Sequence, residues 1–109
     1  MISRAIKSPQ RQMRMLSFRV DGTGTVSLLE GGLDGVLTDN GVGDWTIAFN
    51  EAFVRIPAVV GLSKTSATMI RCVPALGSVQ ILGFAMDGTT ATDCDFDLMV
   101  LGADVADQI

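Results

Sequence analysis

The side chains that most often carry enzyme chemistry are scarce in this sequence. It has no histidine and no tyrosine, which removes the commonest general base and the Ser–His and Cys–His pairs of nucleophilic catalysis. Cys72 and Cys94 have no visible activating partner, and Lys64 lies in the polar turn SKTSAT, where a surface lysine is the default. We therefore expect a protein that is not an enzyme.

Acidic residues alternate near the end of the chain, at Asp93, Asp95 and Asp97, after Asp87 in the preceding turn. In a strand, such residues project from one face, and their oxygens could bind calcium. The glycine and the final glutamate of an EF-hand loop are missing. The preferred interpretation is a solvated face that discourages wrong strand pairing, and the alternative is a contact for a basic segment. We expect no metal and no other cofactor.

Charge divides the chain into two parts. Residues 1–20 contain five of the eight basic residues and no acid, whereas residues 21–109 contain all 12 acidic residues. We interpret residues 1–16 as a basic arm that binds a partner, and residues 17–109 as the folded domain. The alternative for the arm is a frayed terminus in solvent. The basic residues assigned to partner binding are Arg4, Lys7, Arg11, Arg14 and Arg19.

Two classes of partner do not fit this composition. The basic segment has one aromatic residue, Phe18, so it lacks a stacking platform for single-stranded nucleic acid, and the acidic remainder would repel phosphate. No apolar run reaches the roughly 18 residues of a membrane helix, and no apolar segment of a signal peptide follows the charged N-terminus. We expect the chain to bind neither nucleic acid nor membrane.

From residue 17 onward, short apolar segments alternate with turns about every 8–12 residues. Asn40-Gly41 is the strongest hairpin signal, because both residues tolerate positive φ. No segment of helical length has a period of 3.6 residues. We therefore predict an all-β fold, an antiparallel β-sandwich of about six to eight short strands with an extended N-terminal arm.

Two of the predicted strands are apolar on both faces. SVQILGFAM and CDFDLMVLG each carry one apolar set for the core and a second set on the opposite face. A sandwich with water on its outer faces would alternate more cleanly, so self-association is expected to cover the second set. We predict a homo-oligomer, a trimer or hexamer, and the alternative is a monomeric sandwich with an apolar surface. The predicted interface contains Leu82, Phe84, Met86, Met99 and Leu101.

The two cysteines are too few for a disulfide scaffold and do not have the spacing of metal ligands. We interpret them as buried, reduced side chains, which suggests assembly in a reducing cytoplasm. The sequence leaves open a bond between Cys72 and Cys94.

The spacing of apolar residues between 45 and 59 resembles the signature of H-type lectin domains, which recurs in small proteins of tailed bacteriophages. The final segment DCDFDLMVLGADVADQ also resembles those phage proteins, and the resemblance extends over residues 35–104. It implies an antiparallel β-sandwich that forms trimers or hexamers. Large aromatic side chains at these positions would fill the core, and the proline suits the start of the next strand. The signature residues are Trp45, Ile47, Phe49, Phe53, Pro57 and Val59.

The resemblance implies a virion structural protein that is assembled in the host cytoplasm. The leading hypothesis is a capsid decoration (cement) protein, whose basic arm binds the major capsid protein or another virion protein. The alternative is a tail-fibre or adaptor module that binds host glycan. Lectin members usually carry a tryptophan near the end of the last strand, where this chain has Leu101-Gly102-Ala103.

Overall fold

The computed structural model describes residues 13–103, which form eight strands and no helix. All strand pairs are antiparallel, so the predicted all-β antiparallel fold is confirmed. The strands are β1 (Met13–Asp21), β2 (Ser27–Glu30), β3 (Gly35–Gly41), β4 (Asp44–Phe49), β5 (Ala58–Ser63), β6 (Thr68–Pro74), β7 (Ser78–Ala85) and β8 (Phe96–Ala103). No helix in this part of the chain is long and apolar enough to cross a membrane.

The strands form two sheets of four. The first sheet has the order β2-β1-β8-β5, and the second has the order β3-β4-β7-β6. Aromatic contacts connect the two sheets: the rings of Trp45 and Phe96 are 4.9 Å apart, and those of Phe18 and Phe49 are 6.3 Å apart. Since β-strands alternate their side chains, each sheet presents one face to this shared core and one face outward.

Strand β1 begins at Met13, so residues 13–16, which the sequence assigned to the arm, belong to the first sheet. Their partners are Ala103 to Val100 in β8, and Leu16 is 4% exposed in the core. The alternation was hidden in the sequence because Arg14 occupies a position on the inward side of the strand. Its guanidinium lies 4.1 Å from the ring centre of Phe53, at one end of the sandwich.

The hairpin between β3 and β4 forms where the sequence predicted it, but its turn lies further along the chain. Gly41 pairs with Asp44, so Val42 and Gly43 make the turn. Gly41 and Gly43 have positive φ, whereas Asn40 does not. Asn40 instead lies at an irregularity in the pairing and donates a hydrogen bond from Nδ2 to Oγ1 of Thr46 at 2.7 Å.

The signature residues contribute much of the core. Trp45 and Ile47 are completely buried, and Phe49 is nearly so. In the loop 50–57, Phe53 is 3% exposed and its ring meets that of Phe49 edge-on at 5.3 Å. Pro57 is buried directly before β5, and Val59 packs against the core from within it. Phe53 therefore closes one end of the sandwich.

Candidate interaction surface

The outward side chains of the first sheet form a continuous apolar surface. Residues that pair across antiparallel strands share a face, so the register of β1, β8 and β5 defines which side chains are neighbours. One row is Met15–Leu101–Ala58, and the next is Ser17–Met99–Val60. Leu62 follows on β5. We call the set Met15, Ala58, Val60, Leu62, Met99 and Leu101 the apolar face.

These side chains remain open to solvent in the single chain. Val60 is 70% exposed, and Met15 and Leu62 are each 62% exposed. Met99 and Leu101, on the central strand β8, are about half exposed. Isolated apolar side chains are normal on a protein surface, but a continuous patch over the middle of a sheet is typical of an interaction surface.

A shallow hollow of about 270 Å³ lies within the apolar face. It lies above β8, between the row Ser17–Met99–Val60 and the neighbouring row that contains Asp97. Arg19 and Asp97 close the hollow on the side away from Leu101. Its size and apolar walls suit one or two side chains of a partner protein.

A row of alternating charges borders the apolar face, and we call it the charged row: Glu30, Arg19, Asp97 and Lys64. Arg19 contacts Glu30 at 2.9 Å and Asp97 at 3.3 Å, and Lys64 contacts Asp97 at 3.3 Å. The row runs from Glu30 on β2 across β1 and β8 to Lys64, the residue that follows β5, with signs minus, plus, minus, plus. An apolar centre beside a polar edge is the arrangement found in protein–protein interfaces.

The outer face of the second sheet is more polar at its centre. Thr46 of β4 and Gln80 of β7 lie opposite one another, and Gln80 donates a hydrogen bond to Asp44 at 3.0 Å. Leu82 is half-buried beside Asp44 and Arg71. The centre of this face is therefore less apolar than that of the first sheet.

The five residues that the sequence assigned to the interface lie on two different faces. Met99 and Leu101 belong to the apolar face of the first sheet. Leu82 and Phe84 lie on the outer face of the second sheet, where both are half-buried, and Met86 follows β7 with 63% exposure. Because the two outer faces point in opposite directions, one contact cannot cover all five residues.

The sequence analysis did not assign Met15, Val60 and Leu62 to the interface. Met15 was included in the arm, and the strand of Val60 and Leu62 showed no second apolar set as clear as those of β7 and β8. Their outward period-2 positions were present in the sequence, but only the neighbouring β8 makes them one surface with Met99.

The five basic residues assigned to partner binding also fall into two groups. Arg4, Lys7 and Arg11 lie outside the described residues. Arg14 donates a hydrogen bond to the carbonyl of Glu51 at 2.7 Å, and Arg19 belongs to the charged row. Both of these arginines therefore contact groups of their own domain.

Each of the four aspartates near the end of the chain supports a different part of the fold. Asp87 accepts hydrogen bonds from Thr89 and Thr90, chiefly the Thr90 hydroxyl, and these lower its pKa to about 2. The remaining three act on other elements. Asp93 accepts a hydrogen bond from the Gly43 amide, Asp95 from the Gly22 amide, and Asp97 belongs to the charged row. No group of three or more potential metal ligands occurs within residues 13–103.

Cys72 and Cys94 are both free thiols, which answers the question the sequence left open. Burial raises the pKa of Cys72. Burial also raises the pKa of Cys94, against the opposing effect of hydrogen bonds with Ser63 and Thr68. Both thiols are therefore protonated at neutral pH and are poor nucleophiles.

Comparison with protein-family models, with curated proteins and with solved structures gives no match to this chain.

Proposed function

We propose that this chain is a non-enzymatic structural protein of a tailed-phage particle, a small capsid decoration protein that assembles through its apolar face. The observation that carries the proposal is the continuous apolar surface on β1, β8 and β5, with a charged row along one side. An exposed surface of this kind suits a contact with another protein.

Two features of the sequence support the placement in a virion. The spacing from Ile47 to Val59 resembles the signature found in small phage structural proteins, and the two-sheet sandwich fits the fold that this resemblance implies. The basic residues Arg4, Lys7 and Arg11 would bind an acidic surface of the capsid or of another virion protein. The acidic remainder of the chain would keep the particle soluble.

The glycan-binding alternative has less support. Sugar sites commonly use an exposed aromatic ring, yet Trp45 is completely buried and four of the five phenylalanines also lie in the core. Phe84, the remaining aromatic residue, is half-buried on the second sheet.

The proposal is tested by quantitative mass spectrometry of phage particles purified by density gradient from cells that carry this sequence. We expect the chain at a fixed ratio to the major capsid protein. Particles that are complete and contain none of this chain would overturn the proposal.

A charge-reversal variant tests the anchoring role of the basic segment. Arg4→Glu, Lys7→Glu and Arg11→Glu in one chain should abolish retention on particles and leave the sandwich folded, because the described strands begin at Met13. The control reverses Arg55 and Arg71, two exposed residues of the folded domain, and should remain bound. Equal retention of both variants would exclude the anchor.

A further inference from the structure

We propose that the apolar face binds the same face of a second copy of this chain, around a two-fold axis that runs parallel to the strands between β1 and β8. The inference rests on the proposed function, because it names the partner of the surface to which that function assigns assembly. The sheet order β2-β1-β8-β5 has two strands on each side of this axis, so β1 would lie over β8 of the second copy. The short strand β2, which pairs with β1 from Arg19 onward, would lie over the Leu62 end of β5.

The centre of the charged row is complementary to itself under this rotation. Its signs run minus, plus, minus, plus from Glu30 to Lys64. Rotation reverses the order of the strands, so Arg19 lies over Asp97 of the second copy, whereas Glu30 lies over Leu62, the β5 residue that pairs with Asp97. A two-fold axis perpendicular to the strands would instead place the charged row over apolar residues, which is unfavourable.

The apolar side chains are complementary in size under the same rotation. Ser17 lies over Met99 of the second copy, so the hollow beside Ser17 receives the methionine side chain. Met15 lies over Leu101 of the second copy, and both are exposed in the single chain. Methionine adapts its shape readily, which suits it to filling such a hollow.

The extent of the surface suits a weak pair of chains. Strands of nine, four, six and eight residues, about 4.8 Å apart, cover roughly 430 Å² on one face. Two such faces would bury about 850 Å² in total, which lies in the range of weak interfaces. The contact is compatible with a hexamer built from three pairs, but a trimer would need a different surface.

The charge arrangement provides a test that uses two variants of the full-length protein. Arg19→Asp makes both central positions of the charged row acidic, and Asp97→Arg makes both basic. We expect each variant alone to be monomeric because like charges then face each other. An equimolar mixture should form a mixed pair because every facing charge is again opposite. Native mass spectrometry distinguishes the mixed pair from either homodimer.

A second pair of variants tests the same contact without reversing a charge, in case either charge variant fails to fold. Met99→Lys should weaken dimerisation on the order of 100-fold, since it places two ammonium groups in the apolar contact. Ala48→Lys is the control, because Ala48 is exposed on a central strand of the second sheet, and it should remain dimeric. Circular dichroism checks the fold of all four variants.

The possible outcomes separate this inference from the proposed function. Light scattering on the purified chain should give twice its mass of 11.5 kDa, or a multiple of that pair, without any particle present. A monomeric wild type, or a Met99→Lys variant as large as the Ala48→Lys control, would overturn the two-fold contact. Either result would leave the proposal of virion membership to be decided by mass spectrometry of particles. Conversely, absence of the chain from virions would not change the dimerisation measured on the purified protein.

Discussion

Individual glycines are required where the backbone of another segment leaves no room for a side chain. A Cβ on Gly22 would overlap the carbonyl oxygen of Cys94 and approach the Trp45 ring to 2.9 Å. The Gly22 amide also donates to Asp95 at 3.1 Å, which holds the turn after β1 against the segment before β8. Gly32, by contrast, has no atom within 4 Å of the equivalent position.

This contrast predicts opposite results for two alanine substitutions. Gly22→Ala should lower the free energy of unfolding by about 1–3 kcal/mol, because a backbone carbonyl must move to accept the methyl group. Gly32→Ala should change it by less than about 0.5 kcal/mol. Urea unfolding followed by tryptophan fluorescence measures both. Equal stability of the two variants would show that the backbone around Gly22 accommodates a methyl group without loss of stability.

Asp87 makes a turn sensitive to acid. Hydrogen bonds from Thr90 and Thr89 lower its pKa from 3.8 to about 2, so the folded state favours the charged form. The stabilising contribution is therefore present above pH 3.8 and is lost as the pH falls through about 2. NMR titration of the Thr89 and Thr90 amides should show a midpoint near pH 2.

The Thr90 hydroxyl is the largest cause of this shift, so Thr90→Val should move the midpoint back toward the ordinary value of an aspartate. A midpoint in Thr90→Val that equals that of the wild type would assign the shift to the backbone amides alone.

Among the connecting elements, the loop 50–57 closes the end of the sandwich. Phe53 packs against Phe49 and lies next to Gly102, where a Cβ would approach its ring to 2.6 Å. The Arg14 guanidinium lies over the Phe53 ring, 4.1 Å from its centre. One loop residue therefore joins β4, β8 and β1.

Removing the Phe53 ring should lower the free energy of unfolding much more than shortening the neighbouring Val54. Phe53→Ala should lower the free energy of unfolding by about 3–5 kcal/mol, since it leaves a cavity at the end of the core. Val54 is 40% exposed, and Val54→Ala should cost less than about 1 kcal/mol. Guanidinium unfolding measures both, and a Phe53→Ala variant as stable as Val54→Ala would mean that the loop does not close the core.

At the scale of the whole molecule, the boundary of the folded domain lies within the segment that the sequence treated as an arm. Residues 13–16 pair with the end of β8, and Leu16 is buried with Phe18 and Val20. The folded unit therefore needs part of the basic segment, whose remaining charges at Arg4, Lys7 and Arg11 precede it.

Two truncations test this boundary. A chain that lacks residues 1–12 should keep the thermal midpoint of the full-length protein, because every described strand is intact. A chain that lacks residues 1–16 loses the Leu16 side chain and one end of β1, and its midpoint should fall by at least about 10 °C. Circular dichroism during heating compares the two truncated chains. Identical thermal midpoints would show that residues 13–16 do not contribute to the folded domain.

The sequence by itself determined the fold class and the strand positions. Period-2 alternation and frequent turns are local properties, so segments such as DWTIAFN and SVQILGFAM could be assigned to strands without knowledge of their neighbours. The exceptions have local causes as well. Arg14 concealed the start of β1, and the irregular pairing at Asn40 moved the turn of the β3–β4 hairpin to Val42 and Gly43.

Only the tertiary structure decided which apolar side chains form one surface. The sequence correctly indicated that β7 and β8 are apolar on both faces, but it grouped Leu82 with Met99, which lie on opposite outer faces. The order β2-β1-β8-β5 and its register bring Met15, Val60 and Met99 together from distant parts of the chain. Strand neighbours and register follow from long-range pairing and core packing, which local periodicity does not encode.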